Sequence, residues 1–233
     1  MRIKPLSLFK APCAIVILLL AACAGTQDIA KNLTPEEMYR EGVRRLYEIA
    51  NYAGAINSFQ TLQARYPFGE YAIQAHLELI YAHYLAEEPE MAAEEADRFI
   101  LEHPRHPSVA YAYYMKGLAY FTGIEPNWLE NTFNVDPAEK YAQYARKSFQ
   151  NFKTVVEKFP DSAYADDARQ RMIFLRNFLA RHEYYVADYY FRRGAYVSAL
   201  QRAQRVINNY PTTPSVPKAL AIMVESYQRM DMP

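Results

Sequence analysis

Glycine is scarce in this sequence, at 7 of 233 residues, or about 3% against a usual ~7%. A chain with so few glycines has few positive-φ turns, which argues against the many hairpins of a sandwich or barrel. Two cysteines exclude a disulfide-stapled scaffold and a cysteine-based zinc centre. Neither charge is in excess, with 26 Lys+Arg against 26 Asp+Glu, so there is no basic footprint and no nucleic-acid partner is expected. The apolar run Ala14–Ala22 is too short to cross ~30 Å of hydrocarbon as a helix. No glycine-rich phosphate loop, Walker pattern or nucleophile elbow is present. At 51% hydrophobic and 22% charged the chain can still bury a sizeable core, and it is not a disordered protein.

The first residues combine Arg2, Lys4 and Lys10 with that short apolar run, the pattern of a secretory signal peptide. Leu20-Ala21-Ala22-Cys23-Ala24-Gly25 resembles the bacterial lipobox. The resemblance implies cleavage before Cys23 and acylation of that residue. Residues 1–22 then form a signal peptide, and 23–33 form a lipidated cysteine and a polar tether. Removing residues 1–22 takes away three cations and no acid, leaving 23 against 26, a net charge of −3. Position 24 is alanine rather than the aspartate that resembles an inner-membrane retention signal, so the implied location is the periplasmic face of the outer membrane. About ten tether residues reach at most ~35 Å, which keeps the body close to the bilayer.

The rest carries an internal repeat. Arg65-Tyr66-Pro67, Glu102-His103-Pro104, Lys158-Phe159-Pro160 and Asn209-Tyr210-Pro211 recur. Twelve residues before each proline stands a small residue: Ala55, Ala92, Ser148 or Ala199. Eight before stand Phe59, Ala96, Phe152 and Ala203, and five before stand Leu62, Phe99, Val155 and Val206. Small residues let helices approach, larger ones a turn later fill the gap, and proline ends the helix. This register resembles the second helix and closing proline of a tetratricopeptide (TPR) repeat. The expected fold is all-α, a TPR-like superhelical solenoid of antiparallel hairpins over 34–233. The repeats fall at about 34–67, 71–104, 107–160 with an inserted loop at 122–135, 163–211, and a partial repeat at 215–233.

Thr34-Pro35-Glu36-Glu37 and Asp136-Pro137-Ala138-Glu139 read as capped helix starts, and Thr213-Pro214 opens the last helix. Ile73, Leu77, Ile80, Tyr81 and Tyr84 form one apolar stripe, and Leu220, Met223 and Tyr227 another. The 51 residues between Pro160 and Pro211 predict long helices over Ala163–Arg181 and Glu183–Arg193. The fifth hairpin has one helix before Pro233, which predicts either a further segment or a partner against that end.

Chemistry is sparse. His76 and His83 lie two helical turns apart, and His103-Pro104-Arg105-His106 has no carboxylate–histidine metal motif around it, so no metal or cofactor is expected. Glu225-Ser226 resembles the catalytic pair of helical peptidoglycan lyases, but seven residues after Ser226 leave no room for a lysozyme-like domain. The feature in need of explanation is 21 tyrosines, clustered at Tyr111, Tyr113, Tyr114, Tyr120 and at Tyr184, Tyr185, Tyr189, Tyr190. Rings on both faces of helix 107–121 cannot all be buried, so some are expected to line a groove.

Longer stretches carry a closer resemblance. Arg65-Tyr66-Pro67-Phe68-Gly69, Leu79-Ile80-Tyr81-Ala82, Asp97-Arg98-Phe99-Ile100, His106-Pro107, Tyr114-Met115-Lys116-Gly117-Leu118, Phe133-Asn134-Val135-Asp136, Glu183-Tyr184-Tyr185-Val186-Ala187-Asp188-Tyr189-Tyr190 and Arg193-Gly194-Ala195-Tyr196-Val197 look like the YfiO/ComL family of outer-membrane assembly lipoproteins. The resemblance implies a non-enzymatic scaffold of the β-barrel assembly (Bam) machinery. Its implied partners are the POTRA domains of the barrel subunit BamA, accessory Bam lipoproteins and unfolded outer-membrane β-barrel precursors. It implies a BamA contact at Arg202, with Arg193 and Tyr196 beside it. A precursor groove is expected at Tyr66, Phe68, Tyr71, Tyr81, Tyr84 and Tyr114. A rival reading is another TPR lipoprotein adaptor, in peptidoglycan synthesis or cell division, against which Phe133–Asp136 and Arg193–Val197 argue. If Cys23 is the anchor, Cys23→Ala releases the protein from membranes on fractionation. Retention in the outer-membrane fraction contradicts that reading.

Overall fold

The structure is a computed structural model that describes residues 33–124, 132 and 135–232. The signal peptide, Cys23, most of the tether, and Phe133 and Asn134 of the insert lie outside the described residues. Among the described residues every regular element is helical. The chain runs through α1 (Pro35–Val43, continued by a π-helical turn at Arg44–Glu48), α2 (Tyr52–Arg65), α3 (Glu70–Leu85), α4 (Pro89–Glu102) and α5 (Val109–Thr122). A 3-10 turn at Pro137–Glu139 precedes α6 (Ala142–Lys158), α7 (Ala165–Arg192), α8 (Tyr196–Asn209) and α9 (Val216–Arg229). Each helix packs on the next, and α1–α3, α3–α5 and α7–α9 also touch, so odd helices lie beside odd helices in a stack of hairpins.

The four proline landmarks end α2, α4, α6 and α8. Their preceding residues Tyr66, His103, Phe159 and Tyr210 share one backbone conformation, φ −130, −128, −132 and −134° with ψ 70, 53, 52 and 49°. A following proline sterically bars the helical region to the residue before it, so four unrelated side chains are driven to the same exit. Each donates its N–H to the residue four earlier, Leu62, Phe99, Val155 or Val206. All twelve residues of the small–large–large register are fully buried. The turns after Pro104, Pro160 and Pro211 repeat one hydrogen-bond pattern, for example His106 N–H to the His103 carbonyl and Val109 N–H to that of His106. The first linker is shorter and turns on Gly69 at φ 105°. Turns inside the hairpins place Ala50 at φ 54°, Glu87 at 59° and Gly194 at 75°, so even in a glycine-poor chain two of them bear the strain of a left-handed non-glycine residue.

Where α2 and α6 present phenylalanines, their partner helices present glycine. A Cβ on Gly42 would stand 2.4 Å from the Phe59 ring, and one on Gly117 would stand 2.7 Å from Phe152. The Ser148 hydroxyl donates to the Gly117 carbonyl at 2.8 Å, joining the same pair of helices. Ile80 joins the central core, with Ile73, Leu77, Tyr81 and Tyr84 packed against it as their spacing requires.

Four local readings are corrected. Residues 165–192 form one 28-residue helix rather than two, because no proline or glycine interrupts them. Asp136-Pro137 opens only a single 3-10 turn: Asp136 Oδ1 accepts from Ala138 N–H at 2.9 Å, but the Ala138 carbonyl bonds His182 Nδ1 at 2.7 Å and the chain restarts at Ala142. In α9 the buried face is Ala219, Ile222 and Ser226, whereas Leu220 and Tyr227 are exposed. Its start is Val216, because Thr213 is used in the turn, bonding the Tyr210 carbonyl.

Extending Gly117 to alanine should destabilise the fold by about 1–3 kcal/mol through overpacking, outweighing the helix-propensity gain of up to ~1 kcal/mol. Trimming the ring in Gly117→Ala/Phe152→Leu should recover part of the loss. The check is the urea midpoint of the three proteins.

Candidate functional site: an aromatic face and a charged corner

Odd helices carry a run of aromatic rings along one face. Tyr39 of α1 lies 5.8 Å from Tyr71 of α3, and Tyr47 stacks on Tyr81 and Tyr81 on Tyr84, each at 6.1 Å. Tyr114 of α5 stacks on Tyr164 at 4.9 Å, with Tyr111 at 5.8 Å from Tyr164. Phe121 lies 5.4 Å from Phe174 of α7. Tyr39 and Tyr47 both donate to Glu78, at 3.4 and 2.7 Å. Eight residues apart, they would diverge by roughly 80° on a regular α-helix. The π turn at Arg44–Glu48 winds less per residue and brings both hydroxyls to one carboxylate. Further along, Tyr114 donates to Asp167 at 2.7 Å, which Arg171 also holds at 2.5 Å.

These contacts set the protonation of the face. Burial, then the Glu78 charge, pushes Tyr39 up to about 12. Tyr114 also rises to about 12, from burial and its bond to Asp167. Burial opposes the shift at Asp167, but hydrogen bonds from Arg171 and Tyr114 win and lower its pKa. Tyr111 is driven higher still by burial. The face is thus neutral phenol at ordinary pH, with its acids already bonded, and offers ring surface with few demanding charges.

The expected groove residues do not form one site. Tyr71, Tyr81, Tyr84 and Tyr114 belong to the face. Tyr66 instead donates to the Leu33 carbonyl at 3.1 Å. Phe68 is 91% exposed over a separate cleft of about 730 Å³ whose walls include Ile73, His76, Arg98 and His103. The sequence reading omitted Tyr39, Tyr47 and Glu78. Rings at 39 and 47 are out of phase on a regular α-helix, and the π turn aligns them.

A charged corner lies at the other end. Arg202 of α8 bonds the buried Glu183 of α7 at 3.0 Å and is 30% exposed itself. Arg146 of α6 approaches the other Glu183 oxygen at 3.5 Å. Arg193 and Tyr196 stand apart from this pair at the α7–α8 turn, Arg193 over the Tyr189 ring at 4.8 Å and Tyr196 against Phe191 at 5.6 Å. Midway along α7, Arg181 and Tyr185 both bond Asp136, each at 2.8 Å. The unusual length of α7 therefore seats the end of the insert.

A profile of the YfiO family, described as outer membrane lipoproteins, matches residues 31–233. The chain belongs to that family. It is similar to the outer membrane protein assembly factor BamD of Vibrio cholerae serotype O1, 32% identical over 218 residues, spanning 94% of this chain and 90% of that relative. The protein of the same name from Neisseria meningitidis serogroup B is 36% identical over 222 residues, 93% of this chain and 82% of that one. That of Haemophilus influenzae is 32% identical over 231 residues, 99% and 86%. Among the described residues no helix is long and apolar enough to cross a membrane.

The raised phenols make alkaline pH a probe of this face. In the unfolded chain tyrosine ionises near ~10, whereas Tyr39 and Tyr114 in the fold hold their protons to about 12. Raised folded values give stability that is complete below the unfolded pKa and is lost as pH climbs from 10 through 12. The urea midpoint should fall over that window. Tyrosinate absorbance should show a late-titrating class that loses one member in Tyr114→Phe.

Proposed function

We propose that this chain is a lipid-anchored, non-catalytic scaffold for assembly of β-barrel proteins at the periplasmic face of the outer membrane. What carries the reading is the family match across residues 31–233, with relatives named as outer membrane protein assembly factors at 32–36% identity over most of their length. The chemistry of the aromatic face suits it. A barrel precursor must be held unfolded, as an extended chain whose apolar side chains alternate. A row of neutral rings offers such a chain contact area at low entropic cost without competing for its backbone hydrogen bonds. Tyr71, Tyr81, Tyr84 and Tyr114 are the residues we assign to this contact, with Phe68 at the neighbouring cleft.

The barrel subunit BamA is assigned to the opposite end, through Arg202, Arg193 and Tyr196, and accessory Bam lipoproteins are assigned as further partners. A guanidinium can share two carboxylates, so Arg202 can keep Glu183 and still offer its exposed edge to an acid on a POTRA domain. Cys23 would tether the scaffold at the bilayer, so that precursor and barrel subunit meet near the insertion site.

The test must allow for Glu183. Arg202→Glu places a second acid against a buried one and costs stability as well as binding. Arg193→Glu and Tyr196→Ala touch no buried acid and separate the two effects. Each should weaken co-purification with BamA by about tenfold or more, with helicity by circular dichroism unchanged in the latter two. Full recovery of BamA with all three variants contradicts the assignment.

A further inference from the structure

We propose that His76, Glu102 and His103 form a binding site for a divalent transition-metal ion of the zinc type. One ligand atom from each lies within 4.8 Å of the others. His76 comes from α3, and Glu102 and His103 from the end of α4.

His76 is 2% exposed. Its Nε2 stands 3.1 Å from the Glu95 carbonyl and 3.4 Å from the Glu95 carboxylate. On that edge the Glu95 oxygens can accept a proton carried by Nε2. Arg98 Nε donates toward the same nitrogen at 3.3 Å, while its Nη2 is held by Glu95 at 2.6 Å and Gln63 at 2.8 Å. With the proton on Nε2, Nδ1 turns a lone pair to Glu102 Oε2 at 3.6 Å. A cation between these two acceptors selects that tautomer over the one in which Nε2 accepts from Arg98.

His103 supplies the third donor. Its backbone is set by Pro104 at φ −128°, ψ 53°, so its position does not depend on the ion. Zinc takes nitrogen and oxygen ligands at ~2.0–2.1 Å, which in a tetrahedron puts ligand atoms roughly 3.4 Å apart. The half-exposed Glu102 and the His103 ring need to close by about an ångström. Two imidazoles and one carboxylate are borderline donors suited to zinc or its neighbours, not the all-oxygen shell of calcium or magnesium. The Glu95 carbonyl behind Nε2 is the outer partner that metal-bound histidines generally have. With neutral imidazoles, Glu95 and Glu102 against Arg98 leave one net negative charge, which favours a divalent ion. His76 and His103 both border the cleft beneath Phe68, so an ion can enter, and the fourth position can hold water.

The test uses the full chain in detergent, free of any affinity tag and stripped by chelation, titrated with Zn²⁺ by calorimetry and with Co²⁺ by visible absorption. One saturable site is expected, giving a tetrahedral cobalt spectrum that zinc displaces. Glu102→Gln and His103→Gln should each weaken it at least about tenfold, with helicity retained. His83→Gln, whose ring faces Glu88 at 2.6 Å, should leave it unchanged. No saturable uptake, or uptake unaltered by both ligand substitutions, overturns the proposal.

Discussion

The close approach of paired helices sets the rest of this structure. Gly42 and Gly117 leave the backbone open where Phe59 and Phe152 enter, and Ser148 bonds a backbone carbonyl across the same gap. Removing such rings from water contributes a few kcal/mol each. The glycines carry a helix-propensity cost of up to ~1 kcal/mol each, which the packing outweighs. In a stack where each hairpin touches mainly its neighbours, these local interfaces are the stability. The proline-driven exits from α2, α4, α6 and α8 then give every second helix the same ending, and the stack continues in register.

That order has a consequence for the surface. Once the even helices spend their small and large residues on burial, the odd helices can present aromatic rings on their other side. Tyrosine suits that edge, with one end against the core and the hydroxyl bonded to Glu78 or Asp167. The hydroxyls of Tyr39, Tyr47 and Tyr114 are committed to Glu78 and Asp167. Rigid rings cost a bound chain little extra ordering.

Much of this was legible in the residues. Proline, the ring before it and the small–large spacing are local signals, and each acts within one helix or at its end. The stripe from Ile73 to Tyr84 likewise has only one way to face a core. What escaped depended on other helices. The break at Lys140–Tyr141 follows from His182 taking the Ala138 carbonyl, 44 residues away. Leu220 and Tyr227 carry apolar periodicity, yet Ala219, Ile222 and Ser226 fit closer to α8. The pairing of Arg202 with Glu183 joins two helices and leaves no local signal. His76 and His103 belong to different helices with no shared spacing, so no motif announces them.

Barrel assembly is the activity on which every other assignment depends. Cells depleted of this chain should be followed for folded, heat-modifiable β-barrel proteins in the outer membrane, with lipoproteins and inner-membrane proteins as controls. The account predicts that folded barrels decline while the controls persist. Barrel levels that stay undiminished after depletion would contradict it.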